Sequence, residues 1–232
     1  PRVAEELMLE RDLRLDRSIG ARYHAQHLSS GGSVEILRSA RDAGVPATGE
    51  VSPHHLLLTD AACEDFDTNA KMNPPLREES DRRALLQGVA DGVITVLATD
   101  HAPHTTAEKS QPFEVAPLGV IGVETALPLY AESLVESGAI DWPRLVAMMT
   151  IEPARLLGLE NEGLGSLTVG GPGDVTVIDP ALEWSIDADT FESKARNCPF
   201  DGRTVRGRAV LTMVAGSTRC NRLSEVDAPI GV

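Results

Sequence analysis

All six histidines of the chain fall in its first half, at His24, His27, His54, His55, His101 and His104, and none follows. A surface scatter would not leave the second half empty, so chemistry is expected in the first. Three of these groups sit where short apolar strands should stop. RYHAQHL (22–28) ends at His27, PATGEV (46–51) leads through Glu50 to His54 and His55, and ITVLATD (94–100) ends at Asp100 beside His101. In α/β folds on parallel strands, the loops after the strands carry the active site. Three consecutive strand ends therefore deliver imidazoles or carboxylates to one face. His27, followed by Ser29 and Ser30, is either a neutral ligand for a divalent metal or a strand-end histidine bonded to a backbone carbonyl. Asp100 follows the buried-type run VLAT and is a metal ligand, a general base or a helix cap. Capping alone leaves His101 and His104 unexplained, which favours a functional role.

A further polar group stands in KMNPPLR. Pro74 and Pro75 hold an extended backbone and so fix the Asn73 amide at low entropic cost. A stiffly held amide suits a polar ring with donors and acceptors; the plainer alternative is a rigid turn. Arg77 reads as a structural partner of Glu78, Glu79 or Asp81.

The elements that must position these groups alternate. A helix is predicted over 4–18, with Leu7, Leu13 and Leu15 near one face and Gly20 as its stop. After the strand 22–28 and the turn SSGGS, Ser33 can cap a helix ended by Gly44. The strand 46–51, one or two helical turns within 54–66, the helix 79–90 and the strand 94–100 follow. Short connections between alternating strands and helices imply parallel βαβ units with right-handed crossovers. Residues 101–119 form a polar, proline-punctuated loop longer than a typical connection, which predicts mobility. Helices are expected near 121–137, 142–149 and 152–158. From about 163, Val-, Ile- and Thr-rich strands separated by glycine turns form a small β appendage. The division expected is 1–160 and 161–232, with a frayed tail that includes Asp227 to Val232.

Composition bounds the function. The 232 residues carry a net charge of −14, which argues against nucleic acid and anionic membranes as partners, because both need a basic surface. With 42% hydrophobic and 24% charged residues the chain is an ordinary globular one rather than a disordered one. Two Trp, two Tyr and four Phe leave the core to aliphatic side chains. Three cysteines without metal-ligand spacing (Cys63, Cys198 and Cys220) read as reduced thiols of a cytoplasmic protein. No apolar run approaches the roughly 20 residues that span a bilayer. The chain opens at Pro1 directly into a helical pattern, and is expected to be the downstream piece of something longer.

The motifs together resemble a known family. HLSSGGSVEILRSARDAGVPATGEVSPHHLLLTD, KMNPPLR, ATDHAPH, EK, APLGVIGVETALPL, NCPFDG and VLTMVAGS are similar, in order from about residue 4 to 219, to the longer bacterial dihydroorotases of the amidohydrolase superfamily. The resemblance implies an α/β fold, the C-terminal part of a (β/α)8 TIM-type barrel plus a small β-sandwich appendage. It implies one or two zinc ions and the reversible interconversion of N-carbamoyl-L-aspartate and L-dihydroorotate in pyrimidine biosynthesis. By its motifs, His27 is a metal ligand following the sixth barrel strand. Asp100 is a metal ligand and the catalytic acid/base. Asn73 and His104 bind substrate, His104 at its carboxylate, and the Leu118 and Gly119 backbone meets the ring. His54 and His55 match a family motif in a supporting role. A homodimer and a complex with aspartate transcarbamoylase are the partners implied.

HLSS in place of HVST and EVSPHH in place of EVTPHH touch no ligand. Length is the larger departure, since a complete barrel takes about 250 residues. The family's first-strand HxH pair with its arginine, its bridging carboxylate or carboxylated lysine and its fifth-strand histidine have no counterpart. The remaining zinc ligands are therefore expected upstream of Pro1, and the chain alone is expected to be inactive. Two other readings stand beside this one. A non-catalytic structural partner of aspartate transcarbamoylase would typically have lost ligands that are kept here. A hydantoinase or allantoinase fits the pairing of KMNPPLR with ATDHAPH less well.

Overall fold

The computed structural model describes residues 1–225, so the expected frayed tail from Asp227 to Val232 lies outside the described residues. Helix α1 (Arg2–Ile19) stops at Gly20, whose left-handed backbone (φ 69°) returns its N–H to Asp16 O. It buries Leu9 and Leu13; Leu7 and Leu15, placed on the inner face by the sequence pattern, are exposed. Strands β1 (Tyr23–Ala25), β2 (Ala47–Val51) and β3 (Val96–Leu97) form a parallel sheet in that order. Helices α2 (Gly31–Asp42) and α4 (Glu79–Ala90) cross between them, and α3 (Pro53–Leu57) follows β2. These are the expected βαβ units, with two differences. Ser30, extended at φ −109°, caps α2 through its side chain and accepts from the Ser33 N–H, so the predicted cap Ser33 lies inside the first turn. The strands are also shorter than predicted. His27 (φ 35°) and Asp100 (φ 48°) leave the extended region, and regular pairing stops before them.

Beyond β3 come α5 (Thr106–Lys109), α6 (Ala126–Tyr130) continued by a π-helical segment Ala131–Glu136, α7 (Trp142–Met149) and α8 (Ile151–Leu157). Helix α6 starts later than predicted: Val120 still pairs with His101 in an isolated parallel bridge, and Ile121 donates its N–H to Asn197 O. Among the described residues, strands β4 (Val175–Ser185), β5 (Thr204–Val214) and β6 (Ser217–Asn221) make one antiparallel sheet in that order. Among the described residues no helix is long and apolar enough to cross a membrane.

Two cores meet on α6. Tyr130 belongs to the aliphatic core between the parallel sheet and its helices, with Leu37, Leu56, Leu85, Ile94 and Leu134. Leu129 belongs to the core beneath the antiparallel sheet, with Ile186, Phe200 and Val205. Full burial of one such side chain stabilises by about 1.5–3 kcal/mol. The fully buried Tyr130 hydroxyl shares its proton between Val51 O (2.5 Å) and Ala98 O (2.6 Å), joining the ends of β2 and β3.

A second buried polar chain leaves β2. Ser52 Oγ lies 2.8 Å from His54 Nε2 and 2.6 Å from His55 Nδ1, and His55 Nε2 lies 3.0 Å from Pro74 O. The carbonyl can only accept, so the network assigns a proton to His55 Nε2. His55 Nδ1 then accepts from Ser52, which in turn accepts from His54 Nε2. Burial pushes His54 well below the ordinary imidazole range and His55 down to about 4. Both rings are neutral links between β2 and the Asn73 loop.

Two consequences are measurable. Tyr130→Phe removes the shared proton, leaves Val51 O with the Ala98 N–H and takes the hydroxyl from Ala98 O, and should cost about 1–3 kcal/mol by urea unfolding; an unchanged midpoint would show that the bridge contributes nothing. His55 has a depressed folded pKa, so between pH 6.5 and about 4 the unfolded chain binds a proton that the folded chain refuses. Its stabilising contribution is therefore lost as pH falls through that window, by about 2 kcal/mol from pH 7 to 5. His55→Gln should lose that much of the pH 7-to-5 difference, and equal slopes for variant and parent would sink the assignment.

Candidate functional site

The strand ends gather ionisable groups through β2. Glu50 Oε2 lies 3.0 Å from His24 Nε2, whose Nδ1 lies 2.8 Å from Thr48 Oγ1. The other oxygen, Oε1, accepts the His27 N–H at 3.4 Å, and Leu28 N–H donates to Glu50 O at 3.0 Å. These bonds support His27 in its left-handed conformation. The His27 Nδ1 is buried with no hydrogen-bond partner in the structure. An orphaned ring nitrogen at a strand end is the donor a metal would take up. It differs from the alternative of a histidine satisfied by a backbone carbonyl.

Asp100 is half-buried, with Oδ2 3.6 Å from His54 Nε2. Burial raises its pKa above the ordinary aspartate range; His27 opposes that shift and Glu50 adds to it. His27 and Asp100 are thus electrostatic neighbours. The set stops there: among the described residues no cluster of three or more His, Cys, Asp or Glu could hold a metal. The two groups fit as part of a zinc site and do not complete one. His101, from the same motif, is structural, since its Nδ1 accepts from Gly122 N–H (3.1 Å) and Val123 N–H (3.4 Å).

A second cluster lies along the loop 101–119. His104 Nε2 donates to Leu118 O at 2.9 Å, joining two of the residues marked as substrate contacts. Gly119 N–H donates to Lys71 O (2.9 Å), and Gly119 O accepts from Lys109 Nζ (2.9 Å) and Asn197 Nδ2 (3.1 Å). Gly119 has φ 123°, and a Cβ there would fall 2.4 Å from the Ala102 side chain, so this close approach needs glycine. Asn73 is exposed on its own loop and tied to the strand ends through the bond of its neighbour Pro74 to His55.

The loop expected to be mobile is anchored at several points. Thr105 and Glu108 form a capping box on α5. Lys71 Nζ donates to Phe113 O, Glu114 O (3.2 Å) and Ala116 O (2.7 Å), and the buried Lys109 also reaches Pro117 O at 3.0 Å. Lys71, Lys109 and Asn197 escaped the sequence reading although they stand in the quoted motifs KMNPPLR, EK and NCPFDG. Their partners are backbone carbonyls, which leave no mark in a sequence. Arg77 also differs from expectation: it bonds Ser29 Oγ (3.0 Å) and pairs with Glu5 (3.5 Å) from α1. Burial alone would raise the Glu5 carboxyl, but hydrogen bonds from Ser29, Ser33 and Ser30 outweigh it and hold it below the ordinary range.

Residues 8–219 match the profile of the Amidohydrolase family. The dihydroorotase of Geobacter sp. (strain M21) is 49% identical over 216 residues, covering 93% of this chain and 50% of that protein. The dihydroorotase of Bacillus caldolyticus is 46% identical over 217 residues, covering 94% and 50%. Among solved structures, the L-hydantoinase (dihydropyrimidinase) of Arthrobacter aurescens has a TM-score of 0.90 at 31% identity, over 96% of this chain and 50% of that one. The dihydropyrimidinase of Brevibacillus agri NCHU1002 also reaches 0.90, at 24% identity with the same coverage, a likeness of fold alone. The chain spans about half the length of the curated relatives it matches. Parallel βαβ units of TIM-barrel type, strand-end histidine and aspartate, and a family match along nearly the whole chain lead to one conclusion: the chain belongs to the amidohydrolase family.

Proposed function

We propose that this chain is the C-terminal portion of a zinc-dependent dihydroorotase that interconverts N-carbamoyl-L-aspartate and L-dihydroorotate. The observation that carries the reading is the pairing at two strand ends of an unpartnered, buried His27 Nδ1 with a half-buried Asp100 whose pKa is raised. The 42–49% identity to proteins named dihydroorotase supports the choice of substrate. Homodimerisation and assembly with aspartate transcarbamoylase belong to the same reading.

His27 and Asp100 would hold zinc, together with donors outside the described residues. When bound, zinc supplies a nucleophilic water at neutral pH and polarises the amide carbonyl. The raised pKa of Asp100 brings its carboxylate closer to neutrality, where a group both takes and returns a proton. In the hydrolytic direction Asp100 accepts the proton of the attacking water and delivers it to the ring nitrogen as the C–N bond breaks. Closure of the ring runs through the same group in reverse. The exposed Asn73 amide offers a donor and an acceptor to the ring. His104 spends Nε2–H on Leu118 O, which leaves its second ring nitrogen for contact with the substrate. An anionic substrate on a chain of net charge −14 needs local positive charge, which the bound metal would supply.

A hydantoinase is the competing reading, favoured by the likeness to the L-hydantoinase of Arthrobacter aurescens. Turnover of dihydroorotate, hydantoin and allantoin by the full-length, zinc-loaded protein separates the two. Dihydroorotate should be the best substrate, and Asp100→Asn should lower kcat by about 10²–10⁴-fold. Faster turnover of hydantoin, or a variant with the parent's kcat, would overturn the proposal.

A further inference from the structure

We infer that Asn197 and Lys109 are positioning residues which together set the grip of the site on its substrate, by clamping the Leu118–Gly119 backbone and the segment that carries His104. The inference rests on the proposed reading of His104, Leu118 and Gly119 as substrate contacts.

Two buried donors from distant parts of the chain converge on one carbonyl. Lys109 closes α5, and Asn197 lies in the segment before β5; their donor atoms stand 2.9 Å and 3.1 Å from Gly119 O. Both acceptor sites of that oxygen are thereby occupied. Asn197 uses its remaining capacity on the same loop. Its Nδ2 also donates to Ala102 O (2.9 Å), its Oδ1 accepts the His104 N–H (3.2 Å), and its backbone O accepts the Ile121 N–H (3.0 Å). A side chain only 3% exposed thus ties together the start and the end of the loop 101–119. Lys109 is 6% exposed and bonds Pro117 O and Gly119 O on either side of Leu118. An ammonium taken out of water in this way is costly unless its acceptors are well placed.

The consequence for the site is directional. Leu118 O is held by His104, Gly119 N–H by Lys71 O, and Gly119 O by the two donors. Three of the four backbone polar groups of the pair are turned into the protein, which leaves the Leu118 N–H as the one offered to a ligand. The His104 ring is fixed against the same segment. Loosening the clamp lets both contacts drift while Asp100, held from β2 and β3, keeps its place. The clamp therefore governs binding rather than the chemical step.

The test uses Asn197→Ala, Asn197→Asp and Lys109→Met in the full-length, zinc-loaded protein, with steady-state kinetics, zinc content and thermal midpoints. Asn197→Asp keeps the acceptor for the His104 N–H and loses the amide donor. All three should raise KM about tenfold or more, the scale of a lost buried hydrogen bond, with kcat within about threefold and zinc content unchanged. Folded variants with the parent's KM, or with kcat lowered at constant KM, would overturn the inference. If Asn197→Ala does not fold, Lys109→Met and Asn197→Asp decide by the same ratio. The parent's own substrate preference tests the dihydroorotase reading separately. Should it hydrolyse another cyclic amide, the clamp is judged on KM for that amide; a parent that neither binds nor hydrolyses any would contradict both.

Discussion

The arrangement depends on how two strands of the parallel sheet end. His27 and Asp100 are non-glycine residues with positive φ, a conformation that aspartate and histidine tolerate better than branched side chains do. Such positions persist only where the surroundings over-determine them. Here they do. His27 N–H and Leu28 N–H both bond Glu50, Ala98 N–H bonds Val51 O, and Ala102 N–H bonds Val120 O just beyond Asp100. Tyr130 closes the gap from below by holding Val51 O and Ala98 O on one hydroxyl. The turn out of each strand brings an imidazole and a carboxylate within electrostatic reach of each other.

Around that point the polar groups have been sorted by burial. His54 and His55 are kept neutral and serve as links, through Ser52, from β2 to the loop that displays Asn73. Glu50 ties His24 to the His27 backbone and, as a nearby anion, works with burial to raise Asp100. The charges that hold the site together act over one or two side chains, and the net charge of the whole chain does not set them.

Much of this was readable in advance, and the limits were physical. The spans of helices α1, α4 and α7 lie close to those expected, and the parallel pairing of the strands follows from their short connections to helices. The lengths of β1 and β3 did not, because apolar runs continue past the residues where the backbone turns left-handed. Ser30 and Ser33 are equally good caps by composition, and only the extended backbone at Ser30 chooses between them. Arg77 has acidic neighbours in sequence but reaches Glu5 across the fold. Lys71, Lys109 and Asn197 bond carbonyls, and any residue supplies a carbonyl, so the tethering of the loop 101–119 was invisible. His27, Asp100, Asn73 and His104 were marked by type and motif. The orphaned His27 nitrogen and the engagement of His104 Nε2 came only with coordinates.

The central claim is that the ends of β1 and β3 form one metal-binding and proton-transfer centre. Anomalous diffraction at the zinc edge, on crystals of the full-length protein grown with zinc, addresses it most directly. The account predicts an anomalous peak within bonding distance of both the His27 ring and the Asp100 carboxylate. Zinc bound elsewhere, with these two side chains free of metal, would contradict it.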